Sequence, residues 1–101
     1  MILSFLEKKF IPDSKVKVLM EKKIGTVSIL INNKAIVEDV NTLLSGFGDI
    51  ILSRQGIPLR DEGIFVISLV VKSQADTINA LTGKLGRLKG VKVRSILIKT
   101  E

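Results

Sequence analysis

The chain has 101 residues, 46% of them apolar, carries 16 Lys+Arg against 10 Asp+Glu for a net charge of +6, and contains no Cys, His, Trp or Tyr. That length makes one domain with a small core, and the missing Cys and His exclude disulfides, iron–sulfur ligation, a thiol nucleophile, the commonest metal ligand and the usual neutral-pH general base. No apolar run approaches the roughly 20 residues that cross a bilayer and no leader pattern stands at the start, so a cytoplasmic protein is expected.

Residues 1–19 differ from the rest. Ile2, Phe5, Leu6 and Phe10 recur near a helical period, Pro12-Asp13-Ser14 signals a turn, and Lys15 to Val18 alternates like an edge strand. Met20 followed by Glu21-Lys22-Lys23 would make a natural start. The expected division is therefore an N-terminal arm over 1–19 and one domain over 20–101.

From Ile24 the pattern is regular. Ile24 to Asn32 reads as a strand with Val27, Ile29 and Ile31 on one face and Thr26, Ser28 and Leu30 on the other. Asn32-Asn33-Lys34 is a turn in which an Asn caps the next helix. That helix, Ala35 to Phe47, carries Ile36, Val40, Leu43, Leu44 and Phe47 at helical spacing. A second strand is expected over 49–54, a loop over 55–63 around Gly56 and Pro58, and a third strand over 64–71. Ser73 and Asp76 make a capping box for a helix with the apolar stripe Ile78, Leu81, Leu85 and Leu88, and a fourth strand runs from Val91 to Lys99.

Strand, helix, strand, strand, helix, strand is the ferredoxin-like βαββαβ plan. It is an α+β sandwich of a four-stranded antiparallel sheet with two helices on one face. Right-handed crossovers place the first and third strands centrally. The third strand is apolar on both faces: Phe65, Ile67, Leu69 and Val71 alternate with Ile64, Val66 and Val70. The face without helices should thus be largely apolar and need a cover; the N-terminal arm could cover part of it, and a second copy of the sheet is the more economical cover. Val66, Val70, Ile67 and Leu69 are the candidate interface residues, one pair for the core and the other for a dimer or tetramer contact.

Arg54, Gly56, Pro58 and Arg60 form the best candidate ligand loop. Gly allows close backbone approach, and two Arg can grip a carboxylate or phosphate of a small anionic metabolite. The plainer reading is a structured loop with solvated Arg. Lys84, Arg87, Lys89, Lys92, Arg94 and Lys99 make the segment 84–99 basic. As a nucleic-acid surface it lacks aromatic platforms, and charged runs are usually solvated faces. Thr82-Gly83-Lys84 only superficially echoes a phosphate loop, because it lies late in a helix. A close helix–sheet or subunit contact is the expected reason for Gly83. Glu38-Asp39 and Asp61-Glu62 are adjacent pairs, a poor arrangement for acid–base catalysis or for a metal. No catalytic residue, metal site or cofactor is expected.

The run Arg54-Gln55-Gly56-Ile57-Pro58, followed by Gly63-Ile64, Val70, the stretch from Asp76 to Gly86, and Gly90-Val91-Lys92-Val93, resembles the iron-only hydrogenase system regulator family. These are small ACT-like proteins related in fold to the C-terminal domain of the nickel-responsive repressor. The resemblance spans about residues 22–100 and implies a non-enzymatic regulatory module that forms dimers or tetramers. Three departures stand out. The repressor's metal ligands are His and Cys, which this chain lacks. The nineteen residues of the arm, broken by Pro-Asp-Ser, are too few for its ribbon-helix-helix. Amino-acid-binding ACT domains favour Gly in the first strand–helix turn, where Asn32-Asn33-Lys34 stands here. The leading expectation is an oligomeric regulator sensing a small metabolite at a subunit interface. The alternatives are a ligand-free assembly protein for hydrogenase maturation and direct nucleic-acid binding through residues 84–99.

Overall fold

The computed structural model describes residues 21–99. In chain order these form β1 (Lys22–Ile31), a 3-10 turn (Lys34–Ile36), α1 (Val37–Gly46), a second 3-10 turn (Gly48–Ile50), β2 (Ile51–Leu59), a third 3-10 turn (Arg60–Glu62), β3 (Ile64–Gln74), α2 (Ala75–Gly86) and β4 (Val91–Lys99). The strands make one sheet in the order β2-β3-β1-β4, with every neighbouring pair antiparallel. This is the expected α+β, ferredoxin-like architecture, with β1 and β3 central. The arm over 1–19, with its expected helix and strand, lies outside the described residues.

Strand alternation creates the core. Val27 pairs with Leu69, and Ile29 with both Ile67 and Val93, so these side chains form one layer. Val40 and Leu44 of α1 and Ile78, Leu81 and Leu85 of α2 close over it, and all but the edge residue Val93 are buried. Spacings of three and four along each helix put these residues on one stripe. Each fully buried Leu or Ile contributes about 1.5–3 kcal/mol. Ile67 and Leu69 are 0% exposed beneath the helices. They are the core pair of the four candidates, which leaves Val66 and Val70 as the candidate interface pair.

β2 corrects an expectation. The segment expected as a loop over 55–63 is strand as far as Leu59, paired through Gly56 with Ile67 and Pro58 with Phe65. Gly and Pro are tolerated because β2 is an edge strand, where Pro need donate to no further neighbour. A bulge between Ile51 and Ser53 shifts the register.

The capping of α1 is as expected in kind: the Asn33 side chain accepts from the Ala35 backbone N–H at 3.1 Å, at the start of the 3-10 turn that leads into α1. The capping box for α2 is absent. β3 continues to Gln74, Ser73 pairs with Lys23, and Gln74 occupies the N-cap without a side-chain cap bond. Gly83 faces open space, with nothing within 4 Å of a Cβ added there, so no helix–sheet contact within the chain explains it. Gly90 does have a structural reason. Its φ is +84°, and a Cβ there would lie 2.9 Å from both Asn32 Oδ1 and the Asn33 Cβ. The Asn32 N–H donates to the Gly90 carbonyl at 3.0 Å, joining the β1–α1 turn to the α2–β4 turn.

Candidate functional site

The β1–α1 turn and the β2–β3 hairpin lie at the same end of the sheet, because β1 and β3 are antiparallel neighbours with Ile31 opposite Phe65. Between them is a cleft of about 630 Å³ lined by Ile31, Lys34, Val37, Pro58, Arg60, Gly63, Ile64 and Phe65. The hairpin is closed by the 3-10 turn Arg60–Glu62 and by Gly63 at φ +67°, whose N–H donates to the Arg60 carbonyl at 3.2 Å. Two cations, Lys34 and Arg60, therefore share a cleft whose remaining wall is chiefly aliphatic and aromatic. This combination suits an anion with an apolar body: cations for a carboxylate or phosphate, and apolar wall for the rest.

The four residues singled out from the sequence separate into two groups. Pro58 and Arg60 line the cleft. Arg54 and Gly56 do not. Arg54 is paired with Leu69, on the helix side of the sheet, and its guanidinium donates to the Asn41 side chain of α1. Gly56 faces the Phe65 ring, and a Cβ there would lie 3.0 Å from a ring carbon. Its lack of a side chain accommodates packing rather than ligand approach. Five residues of extended strand, about 17 Å, separate Arg54 from Leu59, so Arg54 and Arg60 do not form one fork. Lys34 was missed by the sequence reading. The available clue was topological: βαββαβ connectivity brings the first strand–helix turn beside the hairpin.

The basic segment 84–99 is not one surface. Lys84 Nζ lies 5.5 Å from the centroid of the Phe47 ring, in the helical layer. Lys92 and Arg94 pair with Leu30 and Ser28, on the open face of the sheet, while Lys99 pairs with Lys23 on the opposite face. The period of two along β4 disperses the charge.

The open face is also not uniformly greasy. Val66 and Val70 lie on it, beside Leu30, Ile57 and Leu59 towards one end and Ile24, Ile96 and Ile98 towards the other. Ile96 is 64% and Ile98 58% exposed. Between these two apolar areas runs a polar row, Gln55–Ser68–Ser28–Arg94, aligned across all four strands. The strands contain Lys22, Lys23, Arg54, Lys72, Lys92, Arg94 and Lys99 but no Asp or Glu. Among the described residues no three His, Cys, Asp or Glu cluster as metal ligands, and no helix is long and apolar enough to cross a membrane.

A four-stranded antiparallel sheet backed by two helices on one face is a ferredoxin-like, ACT-like fold. The ACT domain of GTP pyrophosphokinase from Chlorobium tepidum shares this fold, with a TM-score of 0.61, 20% identity, and coverage of 74% of this chain and 86% of that one. Residues 23–95 match the TM1266-like family, described as an iron-only hydrogenase system regulator, and the chain belongs to that family. The solved structure of uncharacterized protein TM1266 from Thermotoga maritima is 40% identical with a TM-score of 0.75, over 78% of this chain and the whole of that one. An uncharacterized transcriptional regulator, MJ0080 of Methanocaldococcus jannaschii, is 34% identical over 77 residues; the match spans 76% of this chain and 58% of that protein.

Proposed function

We propose that this domain is a non-enzymatic regulatory module that pairs with a second copy through its open sheet face and senses a small anionic metabolite in the end cleft. The observation that carries the ligand reading is the placement of Lys34 and Arg60 in one cleft with Ile31, Val37 and Phe65. The family description and the name of the M. jannaschii relative support a regulatory role. The exposure of Ile96 and Ile98 supports self-association, since large exposed apolar areas mark interaction sites. The absence of His and Cys from the sequence supports a binding rather than a catalytic role.

The test is a thermal-shift and calorimetric screen of small carboxylates and phosphates with apolar substituents, on the wild type and on a Lys34→Gln/Arg60→Gln double variant. A stabilising ligand whose affinity falls at least about tenfold in the double variant, the scale of a lost charge-assisted hydrogen bond, supports the reading. A ligand indifferent to both changes refutes the site.

A further inference from the structure

We infer that the open sheet face carries an oxyanion site formed by Arg94, Lys92 and Ser28, and that pairing of two copies through this face depends on filling it. This rests on the self-association proposed above. Lys92 and Arg94 are two residues apart on β4, so both side chains leave the same face, with Cα atoms about 7 Å apart. By register Ser28 stands opposite Arg94 and Leu30 opposite Lys92. These residues and Val66 line a depression of about 280 Å³. Arg94 donates one N–H to the Val93 carbonyl at 2.8 Å. A guanidinium has five N–H donors, so it retains others for an oxyanion, which a planar fork binds bidentately.

The argument for coupling to a second copy is one of charge and area. The open face carries Lys22, Lys72, Lys92 and Arg94, and none of the four strands has a carboxylate to answer them. A two-fold pairing presents the same patch from both copies, so it doubles the cations and brings no counter-charge from either sheet. Strands of about nine residues and four strand spacings give a face of about 30 by 19 Å. Two such faces bury on the order of 1,100 Å², just above the roughly 1,000 Å² a specific interface needs. An interface of marginal area, with cations beside its polar row that no carboxylate of the described strands answers, closes when an oxyanion supplies that charge. Binding to the paired form alone then tightens association by mass action.

Sedimentation of the full chain, at fixed ionic strength in chloride with and without about 10 mM inorganic phosphate, tests this. A site of about 1 mM affinity in the dimer would tighten association about tenfold per ion at that concentration. The same response is expected in Lys34→Gln/Arg60→Gln, which leaves this face untouched. Lys92→Gln/Arg94→Gln should pair equally well with and without phosphate, because the repulsion is gone, and Val70→Glu, on the same face but outside the depression, should remain monomeric in both buffers. If wild-type pairing ignores phosphate but is broken by Val70→Glu, the face is an interface and the anion dependence is refuted. If Lys92→Gln/Arg94→Gln keeps the phosphate response, the ion acts elsewhere and the site is refuted. A wild type that is monomeric in both buffers overturns the inference and the self-association reading together.

Discussion

The Phe65 ring fills the space that a side chain at residue 56 would need: a Cβ on Gly56 would sit 3.0 Å from one ring carbon and 3.4 Å from the next. The ring also lines the end cleft, so one packing contact fixes the edge strand and shapes the cleft wall. Glycine in a strand otherwise costs about 0.5–1 kcal/mol relative to Ala. Gly56→Ala should fail to gain that amount in the wild type but gain it in a Phe65→Leu background. A urea double-mutant cycle should return a coupling of at least about 0.5 kcal/mol; additive changes would show that the ring yields freely.

The two faces of β3 should respond differently to charge. Ile67→Glu places a carboxylate among fully buried side chains and should cost about 4 kcal/mol or more, abolishing the cooperative unfolding transition. Val70→Glu lies on the open face, so it should retain the far-ultraviolet circular dichroism spectrum while reducing the mass measured by light scattering. Loss of fold in both would contradict the division into core face and interface face.

Arg54 is expected to act in stability rather than in binding. Its guanidinium joins β2 to Asn41 of α1, and both residues are solvent-accessible. Arg54→Gln should lower stability by about 1 kcal/mol and leave the affinity of a cleft ligand unchanged, as measured by denaturation and calorimetry on the same sample. A tenfold loss of affinity would return Arg54 to the binding site.

Two glycines with positive φ should differ in how much they resist substitution. Gly63 at +67° has open space around it, whereas Gly90 at +84° abuts Asn32 and Asn33. Gly63→Ala should cost about 1–2 kcal/mol, the left-handed backbone penalty alone. Gly90→Ala should cost clearly more, because the contact between the β1–α1 and α2–β4 turns must also open. Equal losses in thermal unfolding would mean that the contact relaxes without strain.

What the sequence determined by itself was periodicity. The alternation in β1 and β3 and the three–four spacing in both helices specify which residues face the core, because burial of one face is the dominant stabilising term. Those local patterns, with right-handed crossovers, were enough for the βαββαβ plan and the central position of β1 and β3. Tertiary structure alone decided the rest. Gln55 to Leu59 looks like loop because Gly and Pro are read for their own backbone preferences, but β3 supplies a pairing partner and Phe65 a ring to fill the gap. Lys34 and Arg60 are 26 residues apart in the numbering, and only the antiparallel register of β1 with β3 brings their turns together. Lys92 and Lys99 look like one basic run, yet strand alternation sends them to opposite faces. Pairing between distant segments, which no local pattern encodes, decides where the charges converge and where they part.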